Sequence, residues 1–184
     1  AKQIITDGAT VIDVGGESTR PGASVVSVEE EIRRVVPVVV ELAKLNVVIS
    51  IDTSVPEVIC AAVQAGAHIW NDVRALTRHN ALQTAAALDI PVMIMHMRGE
   101  PTTMNGLDQY NNVTQDVMTE LQQRVDEALH AGVRPENIMI DPGFGFAKNA
   151  QQNLQLLNEF YRLTELGYPI LSALSRKRFI GEAL

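Results

Sequence analysis

Short continuous apolar runs recur along the chain, and longer stretches in which apolar residues return at helical spacing lie between them. The runs are Thr10–Val14, Val47–Asp52, His68–Asp72, Val92–His96, Ile138–Asp141 and Ile170–Ser175. Continuous rather than alternating apolarity predicts strands buried on both faces, as in a parallel sheet. Val28, Ile32, Val35, Val36, Val39 and Leu42 mark a helix opened by a capping box of Ser27 and Glu30 and kinked at Pro37. A second such box, Ser54 to Glu57, opens a helix through Cys60 that Gly66 closes. Val117, Leu121, Val125 and Leu129 mark a third helix, ended by Gly132, and the residues from Leu154 to Leu166 a fourth, ended by Gly167.

This alternation predicts an α/β fold with six parallel strands. The five intervals from Asp13 to Ser175 average about 32 residues. Two further units of that size would bring the 184 residues to about 250, the usual length of a (β/α)8 TIM barrel. Residues 1–184 are thus expected to form a single domain, incomplete at both ends. An open doubly wound sheet is the competing architecture, and periodicity alone does not decide between them.

The ends of the chain fit an internal piece of a longer protein. It opens without Met, on Ala1-Lys2-Gln3-Ile4-Ile5-Thr6-Asp7-Gly8, which reads as the end of a helix stopped by glycine, and it closes inside another helical stretch. Composition narrows the function classes. With 15 Lys and Arg against 22 Asp and Glu, a net charge of −7 and 46% hydrophobic residues, the chain is not disordered and has neither a basic nucleic-acid surface nor a polybasic membrane tether. No apolar run approaches the length of a bilayer span. The one cysteine, Cys60, makes no internal disulfide, so a reducing cytoplasm is expected.

Nearly every strand ends in a polar or ionisable residue: Asp13, Asp52, Asn71 with Asp72, His96, Asp141 and Ser175. In a barrel these ends meet at one mouth, where active sites lie. Asp and Asn at strand ends also cap helices and form turns, so no single position carries the argument; the succession of six does. The loop Gly15-Gly16-Glu17-Ser18-Thr19-Arg20-Pro21-Gly22 brings hydroxyls and a guanidinium beside backbone that a ligand can approach closely. Asp141-Pro142-Gly143-Phe144-Gly145-Phe146 joins a strand-end carboxylate to a rigid turn and two aromatics, in a chain with only 4% aromatic residues. Ser175-Arg176-Lys177 sets cations at a helix start, where the dipole disfavours them, which suggests an anionic or polar ligand, with a solvated surface cluster as the alternative. His96 lacks the H-x-H or H-E-x-x-H partner a metal ligand would have, and His68 starts its strand at the wrong end for the mouth. Trp70 and Met93 to Met97 read as core.

Together with Ile51-Asp52-Thr53, Asn71-Asp72 and Met95-His96-Met97, these motifs resemble bacterial dihydropteroate synthase in order and spacing over essentially the whole chain. The resemblance implies a (β/α)8 barrel that condenses 6-hydroxymethyl-7,8-dihydropterin pyrophosphate with p-aminobenzoate, with sulfonamides as inhibitors that mimic p-aminobenzoate. It implies that Asp52, Asn71 and Asp141 hold the pterin edge, with Val73 and Met95 packed on the ring. Thr19, Arg20, Pro21, Phe146 and Ser175 would receive p-aminobenzoate, and Lys177 would contact the pterin and border the p-aminobenzoate pocket. Lys177, Asp141 and Arg20 are the catalytic candidates. The family's Mg²⁺ on the pyrophosphate suits a dissociative substitution, which needs leaving-group stabilisation and positioning more than a strong base.

Two family motifs are absent: the first-strand Asn-x-Thr-Pro-Asp-Ser-Phe loop and the Arg-x-His of the eighth strand. They carry the metal-linked asparagine and the main pyrophosphate ligands, so no metal ligand is expected in this chain. The family forms homodimers through late helices, most of which would lie beyond Leu184. Two other readings stand beside this one. A methyltetrahydrofolate-binding corrinoid methyltransferase barrel would share the acid and amide clamps without the Ser-Thr-Arg-Pro-Gly and Ser-Arg-Lys pairing. The other is a non-catalytic partial gene product.

Overall fold

The computed structural model describes residues 1–19 and 24–183. A short helix α1 (Lys2–Thr6) leads into β1 (Val11–Gly15), α2 (Val28–Leu42), β2 (Val48–Asp52), α3 (Pro56–Gln64) and β3 (Ile69–Asp72). There follow α4 (Ala81–Leu88), β4 (Val92–Met95), α5 (Val113–His130), β5 (Ile138–Asp141), α6 (Ala150–Asn158) and α7 (Arg178–Ala183). Among the described residues, no helix is long and apolar enough to cross a membrane.

The five strands form one sheet in the order β1-β2-β3-β4-β5, and every pairing is parallel. A doubly wound sheet reverses its strand order at a switch point. Here sheet order and chain order coincide throughout, as in consecutive units of a barrel. Only the side of the sheet covered by the helices is a continuous apolar core; the inward side carries Asp13, Ser50, Asp52 and Asn71 beside Met93 and Met95 and lines a cavity, so the expectation of strands buried on both faces is corrected there. Ile49, Ile51, Trp70, Ile94, Ile138 and Ile140 from the sheet are fully buried with Val35 and Val39 of α2, Ile59 of α3, Leu121 of α5 and Leu156 of α6.

One predicted strand is corrected. The segment Ile170–Ser175 makes a single parallel bridge, Ile140 to Ile170. Ile140 N donates to Pro169 O (2.9 Å) and Leu171 N to Ile140 O (2.8 Å), and no ladder continues beyond them. With β5 on one side and, among the described residues, no strand on the other, this segment has half the backbone partners of an interior strand.

The helix boundaries show where local chemistry competes with pattern. Ser27 caps α2 as expected, its Oγ accepting from Glu30 N at 3.3 Å. The Glu30 carboxylate turns outward instead, to Arg33 and Arg34. The second capping box does not form. α3 starts from Val55 with Pro56 in its first turn, and the Ser54 hydroxyl donates to Asp72 across the sheet. The fourth predicted helix splits at Glu159 into α6 and a 3-10 stretch over Phe160–Leu166. Its true start is a full capping box of Asn149 and Gln152.

Candidate active site

Parallel pairing sets the strand ends level. Gly15, Asp52 and Asn71 are register partners across β1, β2 and β3, and Met95 is the partner of Asp141 across β4 and β5. The loops that follow these ends enclose a cavity of about 400 Å³ lined by Thr19, Asp52, Asn71, Val73, Met95, Asp141, Phe146 and Lys177, together with Asp13, Ser50 and Met93. A wider opening of about 870 Å³ shares Thr19, Phe146 and Lys177 with it and adds Ser175, Arg176 and Arg178. Seven of the residues that the resemblance assigns to substrate thus meet in the inner cavity along with Thr19, and the strand-end Asp13 joins them. Ser175 stands apart from them, exposed at the outer opening. Arg20 and Pro21 lie outside the described residues.

The inner cavity is acidic at its floor. Asn71 Nδ2 donates to Asp13 Oδ2 (3.3 Å), which ties β3 to β1 across the end of β2. Burial, then the charges of Asp13, Asp72 and Glu31, push Asp52 up to about 7. Such carboxylates crowded in one place, with Arg74 opposing, are poised to accept hydrogen bonds from a ligand rich in N–H groups. Asp72 does a different job. Fully buried, it accepts from Ser54, from Arg74 N (2.9 Å) and from Leu76 N (2.9 Å), and so folds the loop after β3.

Asp141 is 3% exposed, and burial raises its pKa against the pull of the Gly143 amide, Lys177 and Lys148. Its Oδ1 accepts from Gly143 N at 2.7 Å, so the carboxylate also shapes the turn that follows it. Gly143 has φ +68, and a Cβ there would lie 2.0 Å from the His96 carbonyl oxygen. Only glycine fits a left-handed position packed so closely on backbone. The turn closes with Phe146 N donating to Gly143 O (3.1 Å) and is braced by Asn153, whose Oδ1 accepts from Gly145 N (2.7 Å). Lys177 Nζ lies 4.7 Å from the centre of the Phe146 ring, within reach of a cation–π contact. Burial lowers the Lys177 pKa and Asp141 works against that shift.

Two residues near the site, Lys148 and Glu120, escape a reading of pattern and motif, and a third is marked only by its place at a strand end. Asp13 reads only as one of several polar strand ends. Lys148 falls just past the aromatic loop, with no periodicity to mark it, yet is buried and donates to Gly143 O (3.1 Å), Phe146 O (3.0 Å) and His96 Nδ1 (2.9 Å). Glu120 belongs by spacing to an ordinary helix face but stands 2.9 Å from His96 Nε2. His96 is therefore a link in a polar chain. His68 Nδ1 accepts from Ile49 N (3.1 Å) at the far end of the sheet, and Trp70 Nε1 donates to Thr53 O (2.7 Å) within the core.

The sequence profile of the pterin binding enzyme family matches residues 1–184. The dihydropteroate synthase of Haemophilus influenzae is 48% identical over 184 residues, which is all of this chain and 67% of that protein. That of Escherichia coli K12 is 46% identical over 185 residues, all of this chain and 66% of that protein. The chain spans about two thirds of the length of the curated relatives it matches. Among solved structures, Xanthomonas albilineans dihydropteroate synthase with 4-aminobenzoic acid superposes with a TM-score of 0.93 at 46% identity, covering 99% of this chain and 65% of that one. The Yersinia pestis enzyme in a sulfonamide drug complex gives a TM-score of 0.96 at 42% identity, covering 99% and 66%. With a profile match along its whole length and a cavity built from the residues that the motif order singles out, the chain belongs to the pterin binding enzyme family.

Proposed function

We propose that the protein carrying this chain is a dihydropteroate synthase, which joins 6-hydroxymethyl-7,8-dihydropterin pyrophosphate to p-aminobenzoate and releases pyrophosphate. The observation that carries the reading is the convergence of Asp52, Asn71, Asp141 and Lys177 in one cavity that opens, past Phe146, onto Ser175. A dihydropterin offers a row of ring N–H and amino donors along one edge. Two carboxylates and an amide are the acceptors that such an edge requires, and Val73 and Met95 supply apolar contact for the ring. Beyond it, Phe146 provides an apolar wall for the arylamine ring, and Ser175 and the cations beside it offer a polar end for the carboxylate. Relatives crystallised with 4-aminobenzoic acid, with 7,8-dihydropteroate and with a sulfonamide support the same assignment.

In the reaction, the bond between the pterin methylene carbon and its oxygen breaks, and the electron pair leaves with pyrophosphate. The arylamine nitrogen then gives its lone pair to that carbon and loses a proton to solvent. Asp52 and Asp141 stabilise the cationic pterin electrostatically, and Lys177 holds its place between Asp141 and the arylamine slot. Arg20 and Pro21 belong to the arylamine side of the same proposal. Mg²⁺ on the pyrophosphate belongs to the reading as well. The described residues gather no group of three or more His, Cys, Asp or Glu suited to a metal. A cytoplasmic homodimer is the expected setting.

The test is formation of 7,8-dihydropteroate from the two substrates by the full protein, with sulfonamide inhibition competitive against p-aminobenzoate. Turnover with competitive inhibition is the expected result. A well-folded full protein that makes no dihydropteroate overturns the assignment.

A further inference from the structure

The 143–146 turn is held by more than its own hydrogen bonds. An ammonium has three protons to donate and no lone pair, and the three acceptors around Lys148 Nζ match that number: Gly143 O, Phe146 O and His96 Nδ1. Two of them are the opposite ends of the turn, so one cation clips it shut. The third passes the load on. With Nδ1 accepting from Lys148, the His96 proton sits on Nε2 and is donated to Glu120 Oε2 at 2.9 Å. Glu120 is in turn gripped by Arg98, whose Nε lies 3.0 Å from Oε1 and whose guanidinium carbon stacks 3.8 Å above the Tyr110 ring centre. The His96 backbone closes the circuit, its N–H donating to Asp141 O at 2.8 Å.

We propose that Lys148, acting through His96 and Glu120, is the positioning residue that fixes the 143–146 turn, and with it the Phe146 ring, for arylamine binding. The inference rests on the function proposed above and adds to it a residue outside the substrate-binding set. The charges around the group agree with it. Burial drives Lys148 down to about 7 while Asp141 and Glu120 resist, and burial beside Lys148 keeps His96 neutral with a pKa of about 4. Burial alone would raise Glu120, yet the hydrogen bonds from His96 and Arg98 hold it at about 2. With Lys148 in the ammonium form that its three acceptors match, the chain runs cation, neutral imidazole, anion, and each hydrogen bond is donated in one direction.

Removing Lys148 frees the Phe146 carbonyl but leaves Asp141 its own bond to Gly143 N. The arylamine side should suffer and the pterin side should not. In the full protein, Lys148→Met is expected to raise the KM for p-aminobenzoate about tenfold and to leave that for pterin pyrophosphate within about twofold. His96→Gln, which retains an acceptor for Lys148, should stay near wild type, whereas His96→Leu should reproduce Lys148→Met. Without substrate, the Gly145 and Phe146 amides should exchange faster in Lys148→Met than in wild type by hydrogen–deuterium exchange. Equal rises in both KM values, or unchanged exchange at these amides, overturn the proposal. If Lys148→Met does not fold, the His96 pair decides: similar behaviour of the Gln and Leu variants also overturns it. Failure of the wild-type protein to turn over p-aminobenzoate would count against the proposed function, while the exchange measurement still decides whether Lys148 holds the turn.

Discussion

At the scale of single residues, Asp52 has the clearest consequence. Its folded pKa of about 7 lies well above the ordinary aspartate value of 3.8, so the folded chain keeps a proton that the unfolded chain gives up. The associated stability is fully present below about pH 4 and is lost as the pH rises through about 7. Asp52→Asn should therefore raise the melting temperature at pH 8 while weakening pterin affinity, because the amide removes the repulsion together with the acceptor. Pterin binding near pH 6 should release up to about one proton as Asp52 ionises to meet a ligand N–H. Calorimetry in two buffers of different ionisation enthalpy measures that release, and the Asn variant should abolish it. Equal heats in both buffers for the wild type would count against Asp52 as a pterin ligand. Gly143→Ala should be harsher still, since a Cβ 2.0 Å from the His96 oxygen forces the turn apart; thermal melting and pterin titration should both register a loss.

At the scale of elements, each unit is stabilised apart from the site it serves. Ser27→Ala removes the α2 cap and should cost about 1 kcal/mol in chemical denaturation. Leu121→Ala on α5, fully buried, should cost about 2–5 kcal/mol with little change in ligand affinity of the folded protein. The same elements show what a sequence discloses. Parallel strands backed by helices leave continuous apolar runs, so β1 to β5 and the polar residues at their ends were legible, and with them Asp52, Asn71 and Asp141, although β1 at the sheet edge is buried on neither face. The Ile170–Ser175 run has a strand's composition but one partner strand, and composition does not report pairing. Ser54 offered a capping box, yet tertiary contact drew its hydroxyl to Asp72. Lys148 and Glu120 lie 28 residues apart in chain position and meet only through His96. No local pattern encodes that meeting.

At the scale of the whole molecule, sequential strand order settles the barrel-type path over the doubly wound one and places all the βα loops on one face. Among the described residues β1 pairs with β2 alone, and Val11 on that edge strand is 44% exposed. An unpaired strand edge with apolar neighbours invites association. The 184 residues expressed alone should self-associate and be inactive by light scattering and turnover assay, whereas the full protein should remain discrete in solution. A monodisperse, active preparation of the 184 residues would contradict this.

The central claim is that the strand-end cavity is a pterin site organised around Asp141. Equilibrium titration of a dihydropterin into the full protein, followed by pterin fluorescence, tests it most directly against Asp141→Ala. Saturable binding to the wild type and none to the variant, with the variant still folded by circular dichroism, is the predicted result. Equal affinity in both proteins would contradict the account.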